Sequence, residues 1–92
     1  MLLDGAWTMS PSVSIRPEPF GALAYHFGTR RLTFLKSREM VSVVTGLAAC
    51  ATVREALAKA GVPQTQWSVF LQALEALADG GMIERRADLA AA

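Results

Sequence analysis

From Val13 onward, apolar and polar positions first alternate and later recur with a helical period. Val13 and Ile15 alternate with Ser12, Ser14 and Arg16, which predicts a short strand that stops at Pro17-Glu18-Pro19. Phe20 to Phe27 predicts a second strand, with Leu23, Tyr25 and Phe27 on one face and residue types that favour strands. Gly28-Thr29 supplies a turn, and Arg31 to Lys36 resumes as a third strand, so the pair around Gly28 reads as a hairpin. At Ser37 the period changes to about 3.6 residues. Ser37 is the expected N-cap, and Met40, Val43, Val44 and Leu47 form one buried stripe behind it. Thr52 and Glu55 fit a capping box, and the helix they open ends at Gly61 and Pro63. The third helix runs from about Gln64 to Ala78, with Trp67, Phe70, Leu71, Leu74 and Leu77 on a single stripe. Gly80-Gly81 stops it, and Met82-Ile83 is a candidate for one more short strand.

The predicted order is three strands, three helices and a possible C-terminal strand: an α+β chain with a winged-helix-like arrangement and a three-stranded antiparallel sheet. The plainer alternative is an α+β sandwich with no groove. Residues 1–10 show little periodicity and read as a flexible lead-in, residues 11–83 as the domain, and residues 84–92 as a flexible tail.

Length and charge narrow the function classes. Ninety-two residues make one small domain. Nine Lys plus Arg against eight Asp plus Glu exclude a globally basic, histone-like binder. The N-terminus lacks the basic start and apolar core of an export signal. The uncharged run Met40 to Val53 would span only about 21 Å as a helix, too short for a bilayer. A cytoplasmic protein, with no membrane partner, is the expectation.

Catalytic chemistry is sparse. The single cysteine, Cys50, excludes an internal disulfide, a four-cysteine zinc site and a self-contained iron–sulfur cluster. No basic residue lies within three positions of it to activate the thiol, so Cys50 reads as a small core hydrophobe. His26, the only histidine, has no second histidine or close carboxylate near it in sequence and reads as structural. The carboxylates are scattered singly, and Gly28-Thr29-Arg30 lacks phosphate-loop spacing. No catalytic residue, metal site or cofactor is predicted; the chain reads as a binding module, not an enzyme.

Three-helix order raises DNA binding by a winged-helix regulator as the alternative. Its third helix would need cations for phosphates, yet Gln64 to Asp79 holds no Lys or Arg and carries Glu75 and Asp79. Nucleic acid is therefore not the expected partner. Positive charge instead gathers around the third strand, at Arg30, Arg31, Lys36 and Arg38. Such charges commonly flank an edge strand to discourage aggregation. They equally suit an acidic, extended peptide that adds itself to that edge. The candidate peptide-binding residues are then Arg30, Arg31, Leu32, Thr33, Phe34, Leu35 and Lys36, faced by Trp67, Phe70, Leu71 and Leu74. Of these, Trp67 is the residue most expected to stay partly exposed.

The block from Arg16 to Ser37, RPEPFGALAYHFGTRRLTFLKS, resembles the mycofactocin biosynthesis peptide chaperones (the MftB family), which belong to the PqqD-like RiPP recognition elements. The likeness extends from Val13 into the third helix. It implies a winged-helix-like fold that binds the acidic leader of a ribosomally made precursor peptide. It also implies presentation of that peptide to a radical S-adenosylmethionine enzyme, which would carry the iron–sulfur cluster. In related recognition elements the leader lies as an added strand between the third strand and the third helix. Here that groove would be Arg31 to Lys36 facing Trp67, Phe70 and Leu74.

Overall fold

The structure, a computed structural model, describes residues 2–86. Strands β2 (Val13–Glu18), β3 (Gly21–His26) and β4 (Leu32–Leu35) form an antiparallel sheet in the order β2-β3-β4. Three helices follow: α1 (Arg38–Gly46), α2 (Val53–Lys59) and α3 (Trp67–Asp79). Short 3₁₀ turns extend α1 over Leu47–Ala49 and lead into α3 over Gln64–Gln66. Both predicted N-caps form. The Ser37 hydroxyl accepts from the Met40 N–H at 3.1 Å, and the Thr52 hydroxyl from the Glu55 N–H at 3.2 Å.

Where the sequence pattern predicted a lead-in over residues 1–10, the chain makes a 3₁₀ turn at Leu2–Asp4 and a strand, β1 (Trp7–Met9). This strand pairs antiparallel with β5 (Ile83–Arg85), so the possible C-terminal strand exists and has a partner from the other end of the chain. The Ser10 N–H donates to Met82 C=O at 2.9 Å, and the Arg86 N–H to Ala6 C=O at 3.0 Å, which lengthens the pairing at both ends. A three-residue strand is too short to display alternation, and its partner is remote in sequence, so neither half announces the other. The predicted tail from residue 84 thus begins inside β5; residues 87–92 lie outside the described part.

The core sits between the sheet and the helices. The α1 stripe Met40, Val43, Val44 and Leu47 is buried, joined by Val53, Ala56 and Leu57 of α2 and by Leu74 and Leu77 of α3. Cys50 is buried among them, as a small hydrophobe would be. The sheet meets this core through small residues. Ala22 and Ala24 are fully buried, while their neighbours Leu23 and Tyr25 are only half-buried and Phe27 is exposed. The large apolar face of the second predicted strand is therefore the outward one. Helix α1 packs directly on β3, and its Val43 and Val44 fill the space that larger inward residues would occupy. His26 is structural: its Nδ1 accepts from the Gly28 and Thr29 N–H groups at 3.0 and 3.1 Å and shapes the β3–β4 turn. That turn also holds Arg30 at φ 61°.

Candidate functional site: an open strand edge beside a helical wall

Among the described residues, β4 pairs with β3 alone, so its far edge is open. The phase of the ladder decides what that edge offers. His26 lies opposite Arg31 and donates its N–H to the Arg31 C=O at 2.9 Å. Antiparallel pairing alternates, so Thr33 and Leu35, opposite Ala24 and Ala22, also turn their backbone groups toward β3. Leu32 and Phe34 consequently present their N–H and C=O groups outward.

A furrow of about 470 Å³ separates this edge from α3. Arg31, Thr33, Phe34, Leu35 and Lys36 line the strand side, with Ser37 and Met40 where α1 begins. The helical wall is Val69, Phe70, Ala73, Ala76 and Leu77. Val69 is 64% exposed, and the alanines beside it leave room for a guest side chain. The Arg31 guanidinium reaches across to the end of α3: a methyl group on Gly80 would come within 3.3 Å of Nη1. A cation there suits the negative end of the helix dipole and a carboxylate on an incoming chain alike.

Six of the eleven predicted site residues meet in this furrow: Arg31, Thr33, Phe34, Leu35, Lys36 and Phe70. Five do not line it. Leu74 is fully buried and belongs to the core. Leu71 packs half-buried against that core. Trp67 is held elsewhere, its indole N–H donating to Val62 C=O at 2.8 Å and its ring lying 5.9 Å from the Arg54 guanidinium. Arg30 stays in the turn, and Leu32 turns its side chain to the outward face of the sheet while its backbone remains on the edge. Leu35 borders the furrow but is 2% exposed, so it serves chiefly as a core residue.

The helical wall lies about 100° around α3 from the predicted stripe. A heptad-like apolar stripe marks the core face of a helix, and the neighbouring face that carries the furrow shares Phe70 and Leu77 with that stripe and adds one valine and two alanines. Val69, Ala73 and Ala76 were missed for that reason, while Met40 and Leu77 were read only as stripe residues and Ser37 only as a cap. The available signal was an exposed valine followed at helical spacing by alanines.

Among the described residues no group of three or more His, Cys, Asp or Glu side chains is placed to hold a metal, and no helix is long and apolar enough to cross a membrane. The arrangement offers backbone pairing, an apolar trough and two cations: the requirements for holding an extended peptide.

Comparison with known proteins gives the same class. Residues 6–84 match the sequence model of the peptide chaperone MftB family. The chain belongs to that family. It is 47% identical over 83 residues to the peptide chaperone MftB of Mycobacterium tuberculosis (strain ATCC 25618 / H37Rv), covering 90% of this chain and 76% of the relative. It is 49% identical over 80 residues to the MftB of Mycolicibacterium smegmatis (strain ATCC 700084 / mc(2)155), covering 87% and 78%. The MftB of Mycobacterium ulcerans (strain Agy99) is 48% identical over 80 residues, covering 87% and 73%. No solved structure matches. The MftB family is one of peptide chaperones, a non-catalytic role.

Proposed function

We propose that this chain binds the acidic leader of a mycofactocin precursor peptide as an added strand on β4, and presents it in the cytoplasm to a radical S-adenosylmethionine maturase. The winged-helix-like arrangement of a PqqD-like recognition element is part of the same reading. The observation that carries it is the open β4 edge standing beside an apolar furrow with Arg31 and Lys36 on its strand side. The exposed part of α3 carries Glu75 and Asp79 with no Lys or Arg, which favours a peptide over a nucleic acid.

Magnitudes assign the parts their roles. Leu32 and Phe34 offer about four backbone hydrogen bonds, together worth roughly 4 kcal/mol. Ordering a disordered peptide costs about 2–5 kcal/mol, and a micromolar complex needs about 8 kcal/mol. Pairing alone falls short. Apolar side chains of the leader, seated against Val69, Phe70 and Met40, must supply the rest. Presentation then works through effective concentration: a tethered peptide meets the enzyme as a local reactant.

Titration calorimetry with the precursor peptide is the direct test. Absence of binding by the parent protein removes the reading. The Arg31→Glu/Lys36→Glu variant should bind about tenfold more weakly at low salt, with the difference shrinking markedly at about 0.5 M salt, because exposed charges are screened. A difference that ignores salt would take electrostatic guidance out of the account.

A further inference from the structure

The outward face of the β2-β3-β4 sheet inverts the usual pattern. An antiparallel sheet with one solvated face normally turns polar residues outward. Here Leu23, Tyr25, Leu32 and Phe34 take outward positions while Ala22 and Ala24 point in. Phe20 and Phe27 flank them. Phe20 meets Phe34 edge-to-face at 5.8 Å, and Tyr25 meets Phe27 at 5.4 Å. Phe20, Phe27, Leu32 and Phe34 are 45%, 61%, 55% and 55% exposed. Together they leave roughly 400 Å² of apolar surface in water, the size of the largest patch on an ordinary monomer and often a functional one. One side of a standard protein complex buries about 800 Å², so this patch suffices for the apolar centre of such an interface.

Charge selects the occupant. The border of this face carries exposed cations, Arg30 in the β3–β4 turn and Lys36 after β4, while Arg31 reaches across the furrow and Arg16 is paired with Glu18 at 3.2 Å. A second copy docked about a two-fold axis would set this positive surplus against itself. A different protein, with an apolar patch bordered by carboxylates, would neutralise it. The face also runs to the open β4 edge. A peptide added there would continue the sheet and turn every second side chain to the same outward side.

We propose that this outward sheet face is the docking surface for the peptide-modifying enzyme, which covers the sheet and the bound peptide's outward side chains together through an acid-rimmed apolar patch. The inference rests on the presentation reading above and adds where the enzyme sits. Its test uses the full chain, the precursor peptide and the radical S-adenosylmethionine maturase. Neither position of a Phe20→Ser/Phe27→Ser variant is a β4 or furrow residue, and only the Phe20–Phe34 ring contact reaches the edge. The variant should keep its circular dichroism spectrum, bind the precursor within about twofold of the parent, and bind the maturase about tenfold more weakly. If the double variant loses its fold, Phe27→Ser alone, at the more exposed position, carries the same comparison. Unchanged maturase affinity in the folded variant overturns the inference and leaves presentation standing. A parent protein that ignores the maturase, with or without peptide, removes presentation and the inference with it. A parent dimer in sedimentation that the double substitution converts to monomer assigns the face to a second copy and likewise overturns the proposal.

Discussion

A Phe34→Pro variant is expected to lose about 100-fold in precursor affinity while remaining folded, with Phe34→Ala staying within about threefold of the parent. The two substitutions separate backbone from side chain. Phe34 lies opposite Leu23 in a pair whose backbone groups point away from each other, so its N–H faces the open side and contributes nothing to the β3–β4 ladder. Proline is tolerated at such an edge position. Its ring removes the donor and blocks the approaching strand, leaving the peptide's carbonyl unpaired at a cost of about 1–3 kcal/mol before any slip in register. Both variants forfeit the edge-to-face contact with Phe20, a loss of about 1 kcal/mol that the alanine variant isolates. Thr33→Pro makes the opposite control. Its N–H belongs to the ladder with β3, so that variant should melt at a distinctly lower temperature. Calorimetry and thermal melts on the three proteins decide the matter. Precursor affinity in Phe34→Pro matching that of Phe34→Ala would eliminate strand addition on β4.

The sequence made the local features legible and the remote ones not. Ser37 and Thr52 marked helix starts because a cap is a short-range bond between residues three apart. The hairpin around Gly28 and the α1 stripe were readable for the same reason. The β1–β5 pairing was hidden, since each strand is three residues long and the partners lie at opposite ends of the chain. Burial produced a subtler difference. Period-two alternation in β3 separates two faces but does not say which is inside; the small Ala22 and Ala24 went inward because α1 packs directly on β3. At α3 the stripe members Trp67, Phe70, Leu71 and Leu74 were assigned to the groove; Leu74 is core, and of the four only Phe70 lines the furrow. An edge strand was expected there because charge flanked it; among the described residues β4 pairs with β3 alone, and Arg31 and Lys36 border the furrow. The part of the furrow wall that the stripe does not supply is Val69, Ala73 and Ala76, and small residues carry little hydrophobic signal.

Gly21 offers the sharpest test of how the edge strand is held in place. Its φ of +154° is one that side-chain-bearing residues rarely adopt, and an added Cβ would fall 2.1 Å from the Leu35 carbonyl oxygen and 3.0 Å from the Ser37 nitrogen. Both obstacles are backbone, so no rotamer change relieves them. Gly21→Ala must push the end of β4 and the start of α1 away from β3. The expected loss is about 2–4 kcal/mol, a large share of the roughly 5–8 kcal/mol available to a domain of this size. The melting temperature should fall by about 10–25 °C. Two other glycines calibrate the scale. At Gly46, φ is −89° and nothing lies within 4 Å of a new methyl group, so alanine there should be neutral or stabilising by up to about 1 kcal/mol. At Gly61 the space is also open but φ is +77°, so only backbone strain of about 1 kcal/mol opposes the methyl group. The ranking Gly46→Ala above parent, Gly61→Ala slightly below and Gly21→Ala far below is the expected outcome of three thermal melts. A Gly21→Ala protein as stable as the parent would mean that β4 is not pinned at Leu35, and the position of the open edge would then need another cause.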